Sequence, residues 1–324
     1  MTTQLPPQIE DFITHLRTAG RDGTAKSYAF HLGHVADWLA SQHLTPLTVT
    51  TARLRNYQCH LAEVRGRGGR RLAVSTQGTR IAIMKSCWTW LYHRGLRQDN
   101  PADALALPKV PKQQVRRDYL TLQEVTAFIQ TAAAKTTQYA EGSARWALAV
   151  RELALVTLAL VSGRRRAGLR DLLCQQVDVS KAEIRVDREK GRTGRVLPIA
   201  TWSCVVLKTY LHQARPILCW QKDNPFFFVG DDGAQLGTNT LATILERLHA
   251  DTVKANPDLT ELDDKRLTPH SLRVTFASLL FNGGATIRTI NELMLHQQLG
   301  VTARYIPVNV DDLRRACATA HPRA

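Results

Sequence analysis

Apolar positions recur at helical spacing through the first third of the chain. They run Tyr28, Leu32, Val35, Ala36 and Leu39, then Leu54, Tyr57, Leu61 and Val64, then Ile81, Met84, Trp88, Leu91 and Tyr92. Each run places its apolar side chains on one stripe, which predicts three amphipathic helices packed as a small bundle over residues 1–107. Between the second and third runs, residues 65–71 read RGRGGRR, too glycine-rich for a helix and strongly basic. Residues 107–118, LPKVPKQQVRRD, combine two prolines with Lys109, Lys112, Arg116 and Arg117 against one acid, and predict an extended basic linker over 108–118.

The pattern changes after Tyr119. Thr121 stands three residues before Glu124, a capping-box spacing that starts a helix. Residues 153–161, LALVTLALV, are apolar on every face and predict a helix at the centre of a core. Gly163 ends it and releases Arg164, Arg165 and Arg166 together; periodicity does not say which of the three points inward. Strand-like runs follow near residues 176–179, 182–186 and 195–199, with Lys190 in the turn between the last two. Residues 224–230, NPFFFVG, read as a buried strand or connector, and 238–249 as a helix.

Residues 267–305 carry the densest set of reactive side chains. Thr268 is a good N-cap and Pro269 suits the first helical position, so His270 and Ser271 fall in the opening turn, where unpaired backbone N–H groups attract phosphate. His270 and Arg273, three apart, project from one face. Asn282, Gly283 and Gly284 supply a stop, and Ile287, Ile290 and Met294 mark a second helix that delivers His296. Tyr305 follows nine residues later, near the end of a short segment bounded by Pro307. Val310, Leu313, Ala316 or Cys317, and Ala320 predict a terminal amphipathic helix at about 309–320.

Bulk properties narrow the class. The 324 residues, 44% hydrophobic and 22% charged, suffice for two globular domains with their own cores. The net charge is +15 and is spread along the chain: residues 1–110 carry 14 Lys/Arg against 7 Asp/Glu, the remainder 29 against 21. Both parts are therefore drawn to a polyanion. The six cysteines form no CxxC and no His-rich cluster, so they read as buried free thiols, with no metal site. The N-terminus lacks a basic region followed by an apolar run, and no apolar stretch is long enough to span a bilayer, so a cytoplasmic location without membrane contact is expected.

Three motifs together carry a resemblance. SGRRRAGLRDLL at residues 162–173, EKGRTGRVLPI at 189–199, and HSLR at 270–273 followed by a lone His and a Tyr nine residues on resemble the conserved boxes of the tyrosine recombinases, the phage-integrase family. The ending DDLRRACATAHPRA is similar to that of the Xer subgroup. The resemblance implies a mainly α fold with a small antiparallel sheet, arranged as a two-domain C-shaped clamp. A helical, SAM-like core-binding domain would occupy residues 1–107 and an α+β catalytic domain 119–324, with a C-terminal docking helix. It also implies six catalytic residues: Arg165, Lys190, His270, Arg273, His296 and the nucleophile Tyr305. Candidate DNA contacts are Lys26, Arg65, Arg67, Arg70, Arg71, Arg80, Lys85, Lys109, Lys112, Arg116 and Arg117.

The activity so implied is site-specific DNA cleavage and rejoining through a 3′-phosphotyrosyl link and a Holliday junction, with no metal or ATP. Its partners would be double-stranded DNA with paired inverted half-sites, three further protomers of this or a related recombinase, and an accessory DNA-bending or translocase protein. A type IB topoisomerase shares the chemistry but works as a monomer, and a non-catalytic DNA-binding protein would tolerate loss of one of the six residues. Three positions depart from the family pattern: Gly168 where an acid is usual, Val274 where a histidine is common, and Leu295 where glycine is usual. Gly168 is expected to deprive Arg165 of an orienting partner, and Leu295 to alter the packing beneath His296.

Overall fold

The computed structural model describes residues 5–66, 69–109, 118–186, 194–220 and 224–295. The chain divides into two compact units, Met1–Val115 and Arg116–Ala324.

The first unit is helical: α1 (Pro7–Thr18), α2 (Asp22–Ser41), α3 (Thr51–Glu63) and α4 (Val74–His93). Three of these were legible as amphipathic runs; α1 is an addition. Its buried Ile9, Phe12, Ile13 and Leu16 keep the i, i+3, i+4, i+7 spacing of a core stripe, and Pro7 sits at its first turn. Thr50 caps α3 by accepting from the Arg53 amide. The core gathers Leu32, Val35, Leu39, Leu54, Tyr57, Leu61, Met84 and Trp88, and the Trp88 indole donates to the Pro46 carbonyl at 3.1 Å. Each such large apolar side chain is worth about 1.5–3 kcal/mol once removed from water. The basic stretch between α3 and α4 turns back on itself: Arg65 bridges Arg71, Leu72 N–H donates to Val64 O, and the Arg65 guanidinium caps the Gly69 carbonyl at 2.7 Å.

The second unit is built around one helix. α5 (Leu122–Thr136) begins with the capping box, Thr121 accepting from the Glu124 amide and Glu124 from the Thr121 amide. α6 (Ala144–Ser162) is buried on all sides from Leu153 to Ser162, as its uninterrupted apolar sequence requires. A short α7 (Arg166–Arg170) leads to an antiparallel sheet of three strands, β1 (Val177–Asp178), β2 (Glu183–Val186) and β3 (Arg195–Pro198), in register Val177↔Ile184 and Ile184↔Leu197. α8 (Ser203–Thr209) continues through one π-helical turn at Tyr210–Ala214 into α9 (Arg215–Leu218). The NPFFFVG stretch is a buried connector: Phe227, Phe228 and Val229 are fully enclosed, and Tyr210 donates to the Phe227 carbonyl at 3.0 Å. α10 (Thr240–Ala255), α11 (Thr260–Asp263), α12 (Pro269–Asn282) and α13 (Ile287–Leu293) complete the described part.

The fold is thus mainly helical with one small antiparallel sheet, as expected. The cysteines correct one expectation: Cys87 and Cys204 are buried and Cys174 and Cys219 half-buried, but Cys59 is exposed, because its place on α3 faces away from the bundle stripe, and Cys317 lies outside the described residues. No helix among the described residues is long and apolar enough to cross a membrane.

Candidate active site

The site begins where α6 stops. Gly163 takes the left-handed conformation, φ 56°, and its amide closes the helix on Ala159 O. Glycine is needed there twice over. Its φ is strained for any residue with a Cβ, and a Cβ would lie 2.3 Å from Phe276 Cδ1 of α12. The close approach brings the end of α6 against α12.

The three arginines that follow fan apart. Arg164 is half-buried and its Nε donates to the Gly168 carbonyl at 3.2 Å. Arg166 is exposed and reaches Asn239 Oδ1 at 3.5 Å. Arg165, the residue before α7, is extended and exposed, and its charge is felt by His270. The geometry also changes the reading of Gly168. The atoms nearest a Cβ at this position all belong to the Arg164 guanidinium, at 3.3 Å and beyond, so an acid here would meet Arg164 before Arg165.

α12 supplies the other two described side chains. Thr268 caps it, accepting from the Ser271 amide at 3.1 Å, while Ser271 Oγ accepts from the Thr268 amide at 2.6 Å; Pro269 fills the first turn. This cap fixes where His270 emerges. Further contacts hold the start of the helix. The Leu120 amide donates to Thr275 Oγ1 at 2.9 Å, and Lys265 donates to both oxygens of the buried Glu124 at 2.7 and 2.6 Å. The Lys265–Glu124 pair joins residues 141 apart, and no local pattern in the sequence announces it.

Arg273 lies one turn beyond His270 and is 3% exposed. Its Nη1 donates to the carbonyl of Gly163 and its Nη2 to the carbonyl of Met294 at 2.5 Å. Both acceptors are backbone groups at helix C-termini, where the unpaired carbonyls concentrate partial negative charge. The buried guanidinium therefore ties together the ends of α6 and α13 from within α12.

His270 keeps much of its ring in solvent, yet its pKa lies below the ordinary imidazole value. Partial burial is the largest cause, followed by the positive charges of Arg273 and Arg165. At neutral pH the ring is uncharged and able to accept a proton. The exposed Arg165 guanidinium, the buried charge of Arg273 and a neutral imidazole together favour an oxyanion near the start of α12, and the imidazole can take a proton from a nucleophile beside it.

Leu295, after α13, has φ 54°, a left-handed conformation that glycine adopts without cost. The glycine usual at this place suits the backbone; here a leucine bears the strain immediately before His296. Lys190, His296 and Tyr305 lie outside the described residues, as does the terminal stretch 309–320. Arg195, the first residue of β3, forms an ion pair with Glu292 of α13; both side chains are exposed, so the pair adds little stability.

The candidate DNA contacts separate by burial. Lys26, Arg65, Arg70, Arg71 and Lys109 are exposed, while Arg67, Lys112, Arg116 and Arg117 lie outside the described residues. Lys85 is half-buried and donates to the carbonyls of Asp103 and Leu105 at 2.7 and 2.9 Å. Arg80 is buried, at 7% exposed, with its guanidinium in a cleft of the helical unit and not on its surface. As surface contacts these two are corrected: Lys85 is engaged with its own unit, and Arg80 is enclosed.

An all-helical unit followed by a helical unit with a three-stranded sheet, with His and Arg at a capped helix start under the charge of an arginine after a glycine stop, defines a recombinase-type catalytic fold. The phage integrase family model matches residues 118–311, and the chain belongs to that family. It is 27% identical over 328 residues to tyrosine recombinase XerC of Pelotomaculum thermopropionicum, covering 98% of each chain. It is 30% identical over 277 residues to tyrosine recombinase XerC 2 of Ralstonia nicotianae, covering 86% of this chain and 74% of that one. The fold is similar to that of the Tn1549 transposon integrase in complex with transposon right end DNA, with TM-score 0.67 at 16% identity, covering 96% of this chain and 98% of that one.

Proposed function

We propose that this chain, a tyrosine recombinase of the Xer type, performs site-specific recombination by cleaving and rejoining double-stranded DNA through a 3′-phosphotyrosyl intermediate. The observation that carries the reading is that Arg165 and Arg273 both lie near enough to His270 for their charges to lower its pKa, together with the family match across residues 118–311.

In this reading Arg165 and Arg273 contact the non-bridging oxygens of the scissile phosphate and offset the charge that builds in the pentacovalent transition state. The Tyr305 hydroxyl attacks phosphorus. Its proton passes to His270, whose depressed pKa leaves it neutral and ready to act as base. The bond from phosphorus to the 5′-oxygen breaks, and Lys190 protonates that oxygen, leaving a free 5′-hydroxyl. His296 donates to the phosphate. One phosphoester bond is exchanged for another, so a 5′-hydroxyl from a second strand can reverse the step without ATP, and neither metal nor nucleotide enters the chemistry.

Four protomers, of this chain alone or with a related recombinase, would bring two sites with inverted half-sites together and exchange strands in pairs through a Holliday junction. The basic surface of Lys26, Arg65, Arg70, Arg71 and Lys109 supports backbone contact with the duplex. The apolar positions of the C-terminal segment would dock on a neighbouring protomer. An accessory bending or translocase protein would set the direction.

The test uses a duplex site selected by binding enrichment and nicked close to the cleavage position, which traps the covalent complex. Wild type is expected to form an adduct and, on a plasmid with two sites, recombinant product. Tyr305→Phe is expected to bind the site equally and form neither. Adduct from the Phe variant would show that another residue is the nucleophile; plasmid relaxation without recombinants would point to a topoisomerase.

A further inference from the structure

A second polar site lies in the helical unit, independent of the recombination chemistry. A half-open cleft of about 290 Å³ is lined by residues of α2, α3 and α4, with Arg80 and Tyr57 buried among Trp38, Leu61 and Val64. Both polar side chains are more than nine-tenths enclosed, at 7% and 1% exposed. Arg80 acts on the Tyr57 oxygen as a nearby charge and hydrogen-bond donor, yet among the described residues neither Arg80 Nε nor the Tyr57 hydroxyl has an acceptor of good geometry to donate to, and His31 Nδ1 of α2 is likewise unsatisfied.

Buried donors without acceptors are costly. A hydroxyl or N–H left unsatisfied loses about 1–3 kcal/mol, and a buried charge without a counter-charge loses more. Arg80 forms no ion pair among the described residues. Asp37 lines the same cleft but is exposed, at its rim. What the cleft lacks is an acceptor carrying negative charge, opposite a guanidinium N–H and a phenolic O–H that are already in place.

We propose that this cleft binds a single oxyanion of the phosphate class, with Arg80 Nε and the Tyr57 hydroxyl as its fixed donors. The charge arrangement around it supports that occupant. His31 and His34 of α2 both titrate below the ordinary imidazole value, first through burial and then through the charge of Arg80. Burial pushes the Tyr57 phenol up to about 12 against the lowering effect of the neighbouring Arg80 guanidinium, so the hydroxyl remains protonated and able to donate. The other ionisable groups facing the cleft are Asp37, which favours the charged form of His34, and the exposed His60 of α3. A bound oxyanion opposes the effect of Arg80 on the two imidazoles. Their affinity for protons therefore rises with binding, and by linkage the anion binds more tightly as pH falls from 7.5 towards 6.

The experiment titrates the full-length protein with inorganic phosphate at constant ionic strength, sodium chloride making up the difference. It follows the His31 and His34 ring resonances and the thermal midpoint. Saturable binding is expected, tighter at pH 6 than at pH 7.5. Tyr57→Phe keeps the ring and its packing and is expected to weaken binding about tenfold, the scale of one hydrogen bond to a charged group. Arg80→Gln should abolish binding, Asp37→Asn should strengthen it a few-fold, and Lys208→Gln, at an exposed position of α8, should leave it unchanged. A non-saturable response, or equal affinity in wild type and Tyr57→Phe, overturns the proposal and leaves the cleft to water. A parallel titration with a dinucleoside phosphodiester identifies the source. Competition with phosphate means that the site takes a nucleic-acid backbone group; binding of phosphate alone means a free anion.

Discussion

The Arg273 guanidinium donates to the carbonyl of Met294 at 2.5 Å, so the arginine nominated to hold the scissile phosphate also holds the end of the helix that leads to His296. Its second bond, to Gly163 O, holds the turn that leads to Arg165. One buried side chain thus sets the spacing of the polypeptide on both sides of the site. Arg273→Ala is expected to leave two buried carbonyls unsatisfied and to lower stability by roughly 2–4 kcal/mol, in addition to ending cleavage. Urea denaturation with an unchanged m-value reads the first effect. A loss under 0.5 kcal/mol would mean that water replaces the guanidinium.

His270 gives a pH signature with a defined sign. Its folded-state pKa is lowered by burial and by Arg273 and Arg165, so between that value and about 6.5 the unfolded chain binds the proton and the folded chain does not. Through this group stability falls as pH drops through that window and is constant above it. If the neutral ring is the base, kcat/KM for cleavage of a nicked substrate, which reports the protein before the scissile phosphate binds, rises with pH to a plateau with its midpoint below 6.5. His270→Gln should lose about 10²–10⁴-fold in rate and the acidic limb with it. A midpoint above 6.5 in wild type would rule this histidine out as the group that titrates.

The arginine triplet separates by partner. Arg165→Lys is expected to lose bidentate contact and to slow cleavage about 10²-fold or more, while Arg166→Lys, at an exposed side chain with one long bond to Asn239, should change it less than about threefold. Gly168→Asp should pair with Arg164 and leave the rate of the Arg165 step nearly as it was. Single-turnover cleavage of one substrate by the three variants decides the assignment, and equal losses at 165 and 166 would contradict it.

Two backbone positions near the site should respond with opposite signs. Leu295→Gly relieves a left-handed residue and is expected to raise stability by up to about 1 kcal/mol. Gly163→Ala adds the same kind of strain and also drives a methyl group into the Phe276 ring, so a loss of about 2 kcal/mol or more is expected. Thermal unfolding of both variants tests the pair. A destabilised Leu295→Gly would show that the leucine side chain contributes packing that outweighs its backbone cost.

By itself the sequence determined what depends on near neighbours. The period of the apolar residues placed α2, α3, α4 and α6, and the Thr268-Pro269 and Thr121-Glu124 pairs marked the helix starts at α12 and α5, because capping is decided within one turn. The order of the reactive side chains, from Arg165 to Tyr305, was equally legible, since a motif is a local spacing. The α1 stripe was present in the sequence but short, and its partners Trp90 and Tyr28 lie in other helices. Only the tertiary structure decided which member of the arginine triplet acts on His270 through its charge, that Gly168 serves Arg164, that Arg80 is enclosed, and that Glu124 and Lys265 pair across 141 residues. These relations join positions far apart in the chain. Packing fixes their distances and burial fixes their charge, and neither leaves a period or a spacing from which they could be read.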